Sequence, residues 1–405
     1  MNKDKIDKYV DDINKHFEEI ENTLQFLSFA YLLKHYKKPE TWYMKQQEDL
    51  PAFKKKLYSI AEQQLNELNK TYENSLYLAY TLATGQKAVV DEENKEIIVN
   101  ITSKFESVLN NALNLNKTMV AGFVANVMNK HIAVVNQIGG KALLNLPKVE
   151  ELYKQITKSI DNYGVKDNFN VIYRDGKSIN WKSYMEMNVR TTMSQEISTL
   201  QVESGTQNKV VFWLCSQHSD CADDHVKYQG KLYYDENYTS FNIPQELLTQ
   251  INDFIKDKKL ISIQSVKDKK PYLTTRPNCR HYFQPVSTTQ ALSSSTTSLL
   301  NDLGMNKGKG DTKKYEDLVK QRYNERKIRS WKKEMQIAEM ELAVNPSDEA
   351  TQQRLIATKD KVRFWQKTQR TLLKNKPYLE RDYDRESNEI LVNDLGYRFK
   401  RLTEK

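Results

Sequence analysis

Six side chains dominate the chemistry open to this chain: Cys215, His218, Cys221, His225, Cys279 and His281. The 405 residues contain only three Cys and six His, yet all three Cys and three of the His fall within 67 positions. They occur as CSQHSDCADDH and, downstream, RPNCRH. Thiolate and imidazole are the donors that zinc prefers, four at a time in a tetrahedron, and close pairs on knuckle-like turns commonly supply them. The preferred set is His218, His225, Cys279 and His281, with Cys215 and Cys221 as substitutes. Such a clamp would staple a module too small to hold itself firmly. The competing structural reading is buried thiols beside hydrogen-bonded histidines, with no metal.

Two catalytic readings use the same residues. Cys221 and His225 have the types of a thiol nucleophile and its base, but no third group can be assigned to orient the imidazole. Asp223, Asp224 and His225 would suit a metal-dependent nuclease, with a basic surface elsewhere gripping DNA. That second reading lacks a recognisable acidic constellation in the rest of the chain. No GxxxxGK or GxGxxG pattern follows a strand, so nucleotide hydrolysis is unsupported.

The elements that must position these residues are mostly helices. Gly and Pro number only 12 and 9, hydrophobic residues make up 39% and charged residues 28%. The 23 Tyr, 13 Phe and 5 Trp are too many for a disordered chain. Ile6, Tyr9, Val10, Ile13, Phe17, Ile20 and Leu24 recur every three or four residues and form one helical stripe. Similar runs cover Phe53 to Leu82 and Ile101 to Leu113, and Gly139-Gly140 reads as punctuation. A shorter helix is expected near Lys148 to Ile160, then a turn at Asp175-Gly176 and an amphipathic helix from Trp181 to Gln201.

The middle changes character. Lys209 to Leu214, Lys231 to Asp235 and His281 to Val286 are rich in β-formers, and Pro244 to Lys256 reads as a helix with proline near its first turn. The expected fold class is therefore mainly α with a small α+β module. Its divisions would be a helical body over 1–206, the Cys/His module over 207–286, a Ser/Thr/Gly-rich linker over 287–311, and a basic helical hairpin and tail over 312–405.

Charge is concentrated in that last segment. The chain carries a net +9, and Thr312 to Lys376 alone holds 17 Lys and Arg against 9 Asp and Glu. Such a balance points to a polyanion, nucleic acid above all, or else to an ordinary solvated face. Within it, Ile328, Trp331, Met335, Ala338 and Leu342 step by three and four. After Asn345-Pro346, which reads as a cap followed by proline at the first helical position, Leu355, Val362, Trp365 and Leu372 follow at heptad-like spacing. Lys361, Arg363, Lys367 and Arg370 are the expected DNA contacts. Three cysteines make no disulfide framework, so synthesis in a reducing cytoplasm is expected. The apolar run Met119 to Met128 is about half the ~20 residues that a membrane helix needs, so no membrane partner is expected, nor a small-molecule substrate.

At these residues the sequence resembles the phage minor capsid protein 2 family, related to the head-morphogenesis proteins typified by phage Mu. The resemblance is carried by Ser216, His218, His225, Tyr228, Gln229, Gly230 and Lys231, and then by Asn278, Cys279, Arg280 and His281. Upstream, Tyr184, Glu186, Met187, Arg190 and Thr191 in YMEMNVRTTMSQEI match a second motif, and YNERKIRSWKKE and KVRFWQ look like the tail of relatives. Asp223 and Asp224 stand where an Arg-Pro-like pair is common, and the spacer between the Cys/His motifs is short and lysine-rich. The resemblance implies a low-copy structural protein of a tailed-phage head and no enzymatic role. It implies portal and other capsid proteins as partners, virion localisation, and contact with packaged double-stranded DNA in some relatives. Arg190 and Arg280 would be structural charges, and Tyr184 and Met187 helix-packing residues. The rival reading is a metal-dependent DNA-processing enzyme or toxin.

Overall fold

A computed structural model of the chain describes residues 3–84, 89–91, 96–98, 103–144, 146–162, 170–172, 174–269, 272–274, 279, 281–308 and 310–386. It is mainly α with a small α+β module, as the composition and patterning imply. The chain divides into two compact units, each assembled from three segments. One takes Met1–Val10, Tyr72–Ala112 and Glu186–Val319; the other takes Asp11–Thr71, Leu113–Met185 and Lys320–Lys405.

The second unit is built from long helices. α1 (Lys3–Leu32), α2 (Pro39–Thr84) and α3 (Ser103–Leu144) contribute most of their length to it. In α1 the stripe behaves as its spacing requires, with Ile13, Phe17, Ile20 and Leu24 fully buried. Trp181 sits between Phe17 and Phe123, its ring centroid 5.4 Å from the first and 4.9 Å from the second. Phe105–Lys141 of α3 is long and apolar enough to cross a membrane by length and composition. Here Phe123, Val124, Val127 and Met128 of that stretch are buried.

Gly139 and Gly140 lie inside α3 and do not end it, contrary to the punctuation expected of a glycine pair. A Cβ on Gly139 would fall 1.9 Å from the Tyr43 ring, so the residue is small because α2 packs an aromatic against it. A short α4 (Val149–Asp161) follows. Two short hairpins, β1 (Val89–Asp91) with β2 (Glu96–Ile98) and β3 (Asn170–Ile172) with β4 (Ser178–Asn180), were not expected from the sequence.

The basic segment is an antiparallel helical pair. α11 spans Thr312–Val344 and α12 spans Glu349–Asn375. Within the second unit the two meet through Arg354 and Glu341 near the turn, and through Asn324 and Gln369, 3.0 Å apart, farther along. The cap differs from the expected one. Asp348, two residues after Pro346, is the N-cap of α12, and its carboxylate accepts the Thr351 N–H at 3.2 Å. Pro346 belongs to the turn, because an Asp side chain can satisfy an orphan helix N–H and a proline ring cannot. A single turn, α13 (Tyr383–Glu386), closes the described chain.

The first unit contains the module. Its four-stranded sheet runs β8 (Ile261–Ser262), β7 (Leu232–Tyr234), β5 (Phe212–Cys215), β9 (Phe283–Val286). β5 pairs antiparallel with both β7 and β9, and β7 pairs parallel with β8. Both faces of β5 are buried, in the alternation that a pleated strand dictates. Phe212 and Leu214 join Ile251 of α7 (Gln245–Lys258), Ala291 of α9 (Thr288–Ser293), and Leu299 and Leu300 of α10 (Thr296–Asp302). Trp213 and Cys215 join Val202 of α5 (Trp181–Gln207) together with Ile263 and Val266 of α8 (Ile263–Lys267).

The stretch read as a linker is therefore part of a core. Its serines are helix caps: Ser287 accepts the Gln290 N–H and Ser295 the Ser298 N–H, opening α9 and α10. Composition mimicked a linker because N-cap chemistry uses the same residue types. Beyond α10, β10 (Asn306–Lys307) pairs parallel with β6 (Gln217–His218), and Gly310 lies against the loop that carries Cys221.

Candidate metal centre

β5 ends at Cys215, and the chain then passes directly through Ser216 and β6 into a turn and the single-turn helix α6 (Asp223–Val226). β9 begins two residues after His281, and Cys215 pairs with Phe283 across the sheet. The antiparallel register thus brings the SQHSDCADDH segment and the Cys-x-His segment to the same end of two neighbouring strands. That is how stretches more than 50 residues apart come together.

Three of the four preferred ligands meet there. His225, Cys279 and His281 are all buried, and their ligand atoms lie within 4.8 Å of one another. Cys279 Sγ is 3.4 Å from His281 Nδ1 and 3.7 Å from His225 Nδ1. Among the described residues this is the one group of three or more His, Cys, Asp or Glu side chains so disposed, and it contains no carboxylate. The fourth, His218, lies beside it, its ring centroid 5.2 Å from that of His281, but its Nε2 is 2.8 Å from Ser216 Oγ. Ser216 Oγ in turn accepts the Tyr282 N–H at 3.1 Å, so this serine ties the link between β5 and β6 to the residue just before β9.

Gln229 fixes the orientation of His281. Its Oε1 accepts the backbone N–H of His218 at 2.8 Å, which determines which end of the amide is oxygen. The same oxygen is 3.1 Å from His281 Nε2. A carbonyl oxygen can only accept, so Nε2 carries the proton, and the neutral tautomer that fits this bond turns its Nδ1 lone pair toward Cys279. Gly230, next in sequence, has φ of +64°, and a Cβ there would lie 3.1 Å from the Gln217 side chain. Glycine suits this turn on both counts.

Two residues that sequence reasoning missed hold Cys279 in place. Thr274 is fully buried with φ of +71°, and its N–H donates to Cys279 Sγ at 3.2 Å. Its hydroxyl is 2.8 Å from that of Ser198 on α5, which is also buried. The motif helix therefore anchors the loop that presents the thiol. No local pattern marks either residue, because the contact joins positions 76 apart.

The remaining candidates are placed as follows. Cys215 is fully buried, and burial pushes its thiol up. Burial also pushes the Cys221 thiol up, to about 11, with the Asp220 carboxylate adding to it. A nucleophilic cysteine needs the opposite shift, so this direction counts against the Cys221–His225 reading. Asp223 accepts a 2.6 Å hydrogen bond from the Thr312 hydroxyl at the start of α11. On α5, Arg190 is 3% exposed and lies 3.5 Å from the Glu186 carboxylate, while Tyr184, Met187 and Thr191 are half-buried. Asn278 and Arg280 fall outside the described residues. On α12, Lys361, Arg363, Lys367 and Arg370 are all exposed.

With the geometry in view, the comparisons give the class. A family model described as phage minor capsid protein 2 matches residues 1–374, taking in both units. The chain belongs to that family. No curated protein and no solved structure matches it.

Proposed function

We propose that the protein is a structural, non-enzymatic component of a tailed-phage head. It is made in the host cytoplasm, joins the virion beside the portal and other capsid proteins, and turns its basic hairpin toward packaged double-stranded DNA. The observation that carries this reading is the family match over residues 1–374. The motif-bearing module supports it as a rigid joint, since its central strand is buried on both faces.

The DNA-facing role is supported by α12. Arg363, Lys367 and Arg370 stand at i, i+4 and i+7, which puts three exposed charges on one helical face, with Lys361 exposed nearby. The Arg363–Asp360 ion pair at 3.2 Å is itself exposed, so it holds the guanidinium only weakly against a phosphate. Against the Asp223, Asp224 and His225 nuclease reading stands the absence of a carboxylate from the cluster that holds His225, together with the Thr312 hydroxyl on Asp223.

The test is binding of linear duplex DNA across a salt series. Each phosphate contact contributes about 0.9 to the slope of log affinity against log salt, so four contacts contribute about 3.6. Replacing Lys361, Arg363, Lys367 and Arg370 together with Gln should flatten the slope by up to that amount. An unchanged slope refutes the assignment. Reproducible plasmid cutting with divalent metals, abolished by His225→Ala, would instead establish the enzyme.

A further inference from the structure

We propose that His225, Cys279 and His281 form a zinc-binding site, with Cys279 as thiolate and both imidazoles ligating through Nδ1. The distances fit a metal-centred arrangement. In a tetrahedral site with Zn–S about 2.3 Å and Zn–N about 2.05 Å, a sulfur and a nitrogen ligand stand about 3.6 Å apart. Here the two Sγ to Nδ1 separations are 3.4 and 3.7 Å, one on either side of that value.

Proton accounting points the same way. A thiol has one hydrogen, which can serve one imidazole and not two. The sulfur also receives the Thr274 N–H, a donor that favours the anionic form. His281 is held by Gln229 with its proton on Nε2 and its Nδ1 lone pair directed inward. An outer partner that fixes the tautomer of a histidine is the usual support for a metal ligand. The cluster thus gathers a sulfur favoured as an anion and at least one inward lone pair in a buried space, which a soft cation would complete. Metal entry releases the Cys279 proton to solvent, and a fourth ligand from outside the triad closes the tetrahedron.

The donor set of two imidazoles and one thiolate selects zinc over magnesium or calcium, which take oxygen. The site would also lock two sequence-distant stretches at the end of the β5–β9 pair. Cys215 and Cys221 take no part in it.

The experiment uses the full chain without a histidine tag. Metal analysis after purification free of chelators should give about one zinc per chain. After stripping, cobalt(II) titration should produce a thiolate-to-cobalt charge-transfer band and strong tetrahedral d–d bands, saturating at about one equivalent and lost when zinc is added. Cys279→Ser should abolish the charge-transfer band, whereas Cys221→Ser should leave it intact. Absence of zinc together with absence of any thiolate–cobalt band in the unaltered protein overturns the site, whatever the variants do. A band that survives in Cys279→Ser, or disappears in Cys221→Ser, overturns the ligand assignment.

Discussion

On α3 the imidazole of His131 is 1% exposed and stacked on Phe53 at 4.2 Å, with Nδ1 3.1 Å from Ser28 Oγ. Burial pushes its pKa down to about 4, because an imidazolium there would lose hydration that one hydroxyl cannot replace. The unfolded chain takes up this proton near pH 6.5 and the folded chain only near 4. Between those values the unfolded state holds more protons, so stability falls as pH falls. The contribution is complete above about pH 6.5 and lost through the window below it. At about 1.4 kcal/mol per unit, the drop from 6.5 to about 4 removes about 3 kcal/mol. The assay is urea unfolding followed by far-ultraviolet circular dichroism, for the wild type and His131→Gln, at about pH 6.5 and about pH 4.5. Carboxylates common to both proteins cancel in the difference. The wild type's advantage should shrink by about 2.2 kcal/mol across those two units, since the unfolded ring is half protonated at the upper pH already. A difference that stays constant to within about 0.5 kcal/mol would mean that the ring is not held neutral, and the burial reasoning fails.

Two other substitutions test the packing. Gly205→Ala on α5 places a methyl 2.1 Å from the fully buried Trp213 ring, which has no room to move. It should cost about 1–3 kcal/mol despite the gain in helix propensity, and a raised melting temperature would contradict the close approach. Arg354→Met leaves the fully buried Glu341 carboxylate without its guanidinium and should cost about 3–5 kcal/mol. Adding Glu341→Gln should restore a substantial part of the loss, read as a shift in the urea midpoint.

Much of the architecture was legible because it is periodic. The α1 stripe and the paired C-terminal helices follow from spacing, and the three central strands from runs of β-formers. What escaped has a common cause in contacts between distant positions. Gly139 looks like a breaker until Tyr43 is beside it. The 287–311 stretch looks like a linker until its serines are seen capping helices whose Ala291, Leu299 and Leu300 enter the sheet's core. β8 is two residues long, too short for any alternation to show. At the candidate site, residue type singled out the scarce sulfur and imidazole groups. It could not say that Ser216 would draw the His218 Nε2, or that Thr274 and Ser198 would hold the sulfur.

Polar contacts join α11 to α12 alongside their buried apolar residues. Thr351, Thr358, Val362 and Gln369 are buried on α12, and the amide of Gln369 meets that of Asn324. Sliding one helix by a turn would strand both amides, at about 1–3 kcal/mol for each, so the pair has one register. α12, 27 residues long, is then a graduated rod of about 40 Å, with Arg363 and Arg370 fixed about 10 Å apart along it. A surface that touches this hairpin meets positive charge at set intervals, as marks on a ruler.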